Sequence, residues 1–75
     1  MMQHRIMLRP DGVQDFVAAA GKCEFDIDIS YNSFIVDAKS IIGVMGLNFS
    51  QILTVSCNGY DADFEKYLQK FAVAC

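Results

Sequence analysis

The chain has 75 residues, a length that makes one domain spanning 1–75 and leaves no second lobe to enclose an active site. Its 53% hydrophobic content with 20% charge is that of a folded chain, and the net charge of -3, with scattered lysines and arginines, argues against nucleic-acid binding. No apolar run is long enough to span a membrane, and no apolar block of leader length follows Met1-Met2-Gln3-His4-Arg5, so a cytoplasmic protein is expected.

Residues 3–8, from Gln3 to Leu8, read as a first strand. Arg9-Pro10-Asp11-Gly12 is a turn leading into a helix, because proline fixes φ and Asp11 is suited to cap. Val13, Phe16, Val17 and Ala20 then recur at helical spacing, with Gly21 as the expected end. The period changes to two at Phe25: Phe25, Ile27, Ile29 and Tyr31 alternate with Asp26, Asp28 and Ser30, giving a half-buried strand with an acidic wet face. Asn32-Ser33 is the turn of a hairpin, although Ser33 suits its second position less well than glycine would, and Phe34–Asp37 returns as the partner strand.

The chain pivots on the stretch Asp37-Ala38-Lys39-Ser40-Ile41-Ile42-Gly43-Val44-Met45-Gly46-Leu47. Ser40 is an N-cap for a short helix reaching about Leu47, and its five large apolar residues exceed what one face of two turns can bury. Gln51–Cys57 is a further strand with Leu53, Val55 and Cys57 inward, closed by Asn58-Gly59. Asp61 caps the last helix, Asp63 complements its dipole, and Phe64, Tyr67, Leu68 and Phe71 form its apolar stripe. The order β-α-β-β-α-β-α predicts an α+β open-faced β-sandwich, a four-stranded antiparallel sheet with three helices on one face. Cys23, Cys57 and Cys75 are odd in number and without CxxC spacing, which reads as free thiols in a reducing compartment, with no metal site and no cofactor.

The stretch Ile27–Asn32, followed by Val36–Leu47 with its Lys-Ser-Ile-x-Gly-Val-Met-x-Leu pattern, resembles the histidine-containing phosphocarrier (HPr) family of bacterial sugar phosphotransferase systems, particularly its Gram-positive branch. Leu53–Gly59 and the acidic turn and helix after it fit the same resemblance, which covers roughly residues 13 to 71. Members of that family carry a Gly-x-His-x-Arg-Pro loop between the first strand and first helix, and its histidine takes the phosphoryl group. Here aligning Arg9-Pro10 with the family's Arg-Pro puts Met7 at the histidine, whereas an ungapped alignment from the first helix puts Arg9 there and Asp11 at the arginine. Neither supplies a nucleophilic nitrogen: methionine has none, and arginine stays protonated. The one histidine, His4, falls inside the first strand, where helix amides that would hold a phosphate are out of reach.

Ser40 matches the family's regulatory serine, so the resemblance implies phosphorylation there by an ATP-dependent serine kinase/phosphorylase. A phosphate at that point would meet the positive end of a helix. Ile42 and Met45 correspond to the family's exposed apolar pair, which makes them, with Ile41, Lys39 and an anion-binding Arg9, the expected partner-facing residues. Asp11 and Asp15 make this patch more acidic than a phosphocarrier's, which disfavours partners with acidic surfaces. Asp26 and Asp28 are read as a wet strand face, since no base or nucleophile converges with them.

Three readings stand against one another. The leading one is a non-catalytic regulatory or adaptor protein, similar to the catabolite-repression relative that also lacks the histidine, with a serine kinase or a transcriptional regulator as partner. The others are a phosphocarrier acting through His4, and a structural domain that forms a weak homodimer instead of a monomer. An enzyme is not expected.

Overall fold

The computed structural model describes residues 2–73. Four strands, β1 (Met2–Ile6), β2 (Ile27–Tyr31), β3 (Phe34–Asp37) and β4 (Leu53–Cys57), form one antiparallel sheet in the order β1-β4-β2-β3. Three helices, α1 (Val13–Gly21), α2 (Ile41–Met45) and α3 (Ala62–Gln69), cover one side, and a single 3-10 turn at Pro10–Gly12 leads into α1. This is the open-faced sandwich that the element order predicts.

The period of two decides which face is covered. Ile27 and Ile29 of β2 and Leu53, Val55 and Cys57 of β4 point into the core, where Phe16 and Ala20 of α1, Val44 of α2, and Phe64 and Leu68 of α3 meet them. The opposite face carries cross-strand neighbours of the other parity, Gln3–Ser56–Asp28–Asp37 and Arg5–Thr54–Ser30–Ile35. Burial of the apolar parity is the dominant stabilising term and fixes register, since a one-residue slip would bring Asp28 into the core. Asn32 takes the left-handed conformation the hairpin turn needs, at φ 55, which asparagine tolerates.

Several boundaries differ from those read in the sequence. β1 ends at Ile6 instead of Leu8: its last pair with β4 is Ile6 with Leu53, and beyond it the Met7 N–H donates to the Phe71 carbonyl at 3.0 Å on the outer edge. Phe25 and Asp26 precede β2; the Phe25 ring lies against Gly59, so close that a methyl group there would fall 2.5 Å from it. β4 begins at Leu53 and not at Gln51, since Asn48–Gln51 is a turn in which the Asn48 side chain accepts from the Ser50 N–H and hydroxyl. α1 runs through Gly21 before Lys22 ends it, and α2 stops at Met45. Asp11 caps nothing, because α1 is entered from Gly12 without a side-chain cap. Phe71 lies just past α3 but still packs on the core, its ring edge-on to Tyr67 at 5.1 Å between centroids. Cys23 and Cys57 are buried free thiols, and Cys75 lies outside the described residues.

Candidate functional site

Two segments meet the requirements of a surface that acts on other molecules: the loop between β1 and α1, and the capped turn that starts α2. The loop is pinned by alternation. Leu8 is buried, while Met7 and Arg9 on either side of it face out. Arg9 is extended, at φ -100 and ψ 151, and its Nε lies 3.3 Å from Asp11 Oδ1 on an open surface. Such an exposed pair is weak, and Arg9 remains free to swing away from it. Neither of the two residues that the alignments place at the family's histidine carries a nucleophilic nitrogen.

His4 is on the opposite side of this problem. It shares its parity with Ile6, so its ring points under the helices, opposite Val55 of β4. Its Nε2 is buried and lies 2.8 Å from Glu65 Oε1 of α3, out of line for a directed hydrogen bond. His4 thus falls inside the first strand as its sequence position implies, with its ring tucked against α3.

At α2 the local chemistry follows the sequence closely. Ser40 is extended, and its Oγ accepts the Gly43 N–H at 3.3 Å while its carbonyl accepts from Val44 at 3.0 Å. The Ser40 N–H itself is held by the Asp37 carbonyl at 3.0 Å. Gly43 is packed closely: an added Cβ would lie 3.3 Å from the Val36 Cβ, which would have to give by a few tenths of an ångström. Val44 and Leu47 anchor the helix in the core, and the remaining apolar residues face solvent, Ile42 at 84% and Met45 at 63% exposure, with Ile41 at 38%. Ile42 and Met45, three apart, therefore share an uncovered face; Ile41 is the most sheltered of the three.

Lys39 sits differently from its neighbours. Its Nζ donates to the Cys23 carbonyl at 2.8 Å, at the C-terminal end of α1, and its N–H goes to Asp37 Oδ1 at 2.9 Å. A cation at a helix C-terminus meets the negative end of the dipole. The ammonium is thereby tied to the fold, between α1 and the α2 turn.

Sequence reasoning missed Glu65 and Cys23 as the groups that occupy His4 and Lys39. Neither has a local signal, since the contacts join residues remote in the chain. The thiols add no reactive centre: burial, the larger cause, and nearby Asp61 raise Cys23, and burial with Glu65 pushes Cys57 up to about 11. Both are held as neutral thiols, the poorly nucleophilic form. A groove of about 220 Å³ between α1 and α3 is lined by Ala19, Cys23, Phe64 and Tyr67 with charged residues at its rim, and no nucleophile and base converge in it. Among the described residues no group of three metal-ligating side chains forms, and no helix is long and apolar enough to cross a membrane.

No curated protein sequence matches the chain. The PTS-HPr family model, described as the PTS HPr component phosphorylation site, matches residues 8–72, a span that takes in the loop at Met7–Gly12 from Leu8 onward and all of the α2 turn, and leaves His4 outside. That match covers most of the chain and agrees with the sheet order and helix placement found independently in the fold. The chain belongs to the HPr family, the small non-enzymatic phosphocarrier and regulatory proteins of the phosphotransferase system.

Proposed function

We propose that this HPr-family protein is a regulatory or adaptor member that does not carry phosphohistidine. The observation that carries the reading is the loop before α1, where Met7, Leu8 and Arg9 stand in place of a phosphoacceptor, while the sole histidine has its Nε2 buried against Glu65. A carrier must present a free ring nitrogen to two partners in turn. The His4 alternative must either pull Nε2 from its buried contact under α3 or work through Nδ1 of a ring that is mostly covered.

The half of the family's equipment that remains is the α2 turn. Ser40, exposed in part and capping a helix, is the residue we assign as a phosphorylation site, with a serine kinase/phosphorylase of the HPr type as its enzyme. A phosphoryl group there adds close to two negative charges beside the first-turn amides and next to the apolar pair Ile42 and Met45. It would change what that patch accepts without remaking the fold. Ile42, Met45 and Ile41 form the partner-facing surface in this reading, with Arg9 at its margin and a transcriptional regulator or phosphotransferase component as the protein bound. Methionine suits such a surface because it repacks readily against different partners. The reading places the protein in the bacterial cytoplasm, where those partners operate.

Two incubations test it. With a Gram-positive HPr kinase and ATP, the protein is expected to gain one phosphate, mapped by mass spectrometry to Ser40; an unchanged mass sinks the regulatory reading. With phosphoenolpyruvate and the general phosphotransfer enzyme, no acid-labile phosphate is expected. Its appearance, and its loss on His4→Ala, would establish the carrier reading instead.

A further inference from the structure

The two edges of the sheet are treated differently by the fold. At β1 the chain's own end covers the edge: Met7 N–H donates to the Phe71 carbonyl at 3.0 Å, Val73 N–H donates to the Arg5 carbonyl at 2.9 Å, and Ile6 bridges Ala72. Nothing among the described residues does the same for β3. Its register with β2, together with the Ala38 N–H donating to the Ile27 carbonyl at 2.9 Å, fixes which groups face out. Bonded and non-bonded pairs alternate in an antiparallel ladder, so Phe34, Val36 and Ala38 bond inward to β2. Ile35 and Asp37 turn their backbone groups outward. The Asp37 carbonyl is used by the Ser40 N–H, which leaves the Ile35 N–H, the Ile35 carbonyl and the Asp37 N–H open.

The first three side chains at this edge do not guard it. Natural edges are blunted by short length, charged residues, proline or a bulge. β3 has its four-residue length and the terminal Asp37, but no lysine or proline, and its Phe34 and Ile35 are 50% and 65% exposed.

We propose that β3 pairs with β3 of a second copy of this chain about a two-fold axis, forming a continuous eight-stranded sheet. The register is selected by the side chains. Centring the axis on Ile35 sets Ile35 opposite Ile35 of the second copy and lets the two exchange both open backbone groups. On the helix side Phe34 meets Val36 of the second copy, twice by symmetry. Asp37 falls opposite Ser33, so no carboxylate directly opposes another. Centring on Val36 would instead set Ile35 against Asp37, and centring on Asp37 would set two carboxylates face to face. Only the Ile35 register pairs Phe34, Ile35 and Val36 apolar on apolar while setting Asp37 against a polar, uncharged residue. The contact is small and each chain carries a net charge of -3, so the dimer is weak and is strengthened by salt.

The test is sedimentation of the full chain from micromolar to millimolar concentration, with amide hydrogen exchange at both ends of the range. A reversible monomer–dimer equilibrium is expected, with the Ile35 amide exchanging more slowly in the concentrated sample. Ile35→Lys, a change at an exposed side chain, is expected to raise the dimer dissociation constant at least about tenfold, because it sets two ammonium groups opposite each other. Ile42→Lys on α2 is expected to leave it unchanged. A monomer up to millimolar concentration overturns the proposal. So does a dimer that Ile42→Lys dissociates and Ile35→Lys does not. The exchange of the Ile35 amide decides the matter in the unaltered chain should Ile35→Lys fail to fold; equal rates at both concentrations overturn the proposal.

Discussion

His4 Nε2 lies 2.8 Å from Glu65 Oε1, joining the outer strand β1 to the last helix α3. A histidine in this family is expected to be a working group; here the only one lies in β1 with its Nε2 buried against α3. Its contact is largely buried but too oblique for a hydrogen bond, so its energetic weight is modest. A double-mutant cycle of His4→Ala and Glu65→Ala by urea unfolding at neutral pH should give a coupling of about 1 kcal/mol or less. A coupling of about 3 kcal/mol would instead mark a buried, fully charged pair.

Ser40 has two roles that substitution separates. Removing its hydroxyl leaves the Gly43 N–H without its acceptor, and Ser40→Ala should cost about 1 kcal/mol of stability. Aspartate is as good a cap as serine, so Ser40→Asp should stay within about 0.5 kcal/mol of the unaltered protein. Urea midpoints at constant m-value check both. If Ser40→Asp alters partner binding while its midpoint holds, the effect is one of charge at the patch and not of a melted helix.

The parts of this fold that could be read from the sequence are those set by near neighbours. The alternation at Ile27 and Ile29, the Ser40 cap over Gly43, the Asp61 cap over Phe64 and the Asn32 turn each depend on a few adjacent residues, and each is found where the spacing puts it. What was illegible depends on distant ones. Lys39 looked like a surface cation because nothing within its own helix turn claims it; the Cys23 carbonyl that does so is 16 residues away. The end of β1 depends likewise on a distant partner, since Ile6–Leu8 has strand composition and the pairing stops where β4 begins at Leu53. The loop at Met7–Arg9 stayed ambiguous in alignment because the two candidate positions, Met7 and Arg9, are both exposed and flank a buried Leu8.

Gly59 is held small by Phe25. An added Cβ would lie 2.5 Å from the ring and 3.0 Å from the Phe25 Cβ, so the ring or the turn must move. Gly59→Ala should destabilise by about 1–3 kcal/mol as overpacking does, visible as a lower thermal midpoint. Combining it with Phe25→Leu should recover part of the loss, because the smaller side chain vacates the space that the methyl group needs. An additive double variant would show that the contact is not the cause.

Cys57 should make the protein alkali-sensitive. Its thiol sits fully buried on β4, and burial first, then Glu65 and Cys23, push its pKa from 9.0 up to about 11. The sign follows from linkage: ionisation near 9 favours the unfolded chain, which exposes the thiol, while the folded protein holds the proton. The stabilisation is therefore complete below pH 9, declines between about 9 and 11, and is gone once the folded thiol also ionises. Cys23, raised in the same direction by its burial and by Asp61, adds to the slope. Urea unfolding at a series of pH values from neutral to alkaline should show stability falling across that window, and Cys57→Val, which keeps a small apolar side chain on the core face, should flatten the fall. An unchanged slope in Cys57→Val would assign the alkaline loss to other groups, with the Cys23 thiol and the buried Tyr67 hydroxyl, itself raised by burial, next in line.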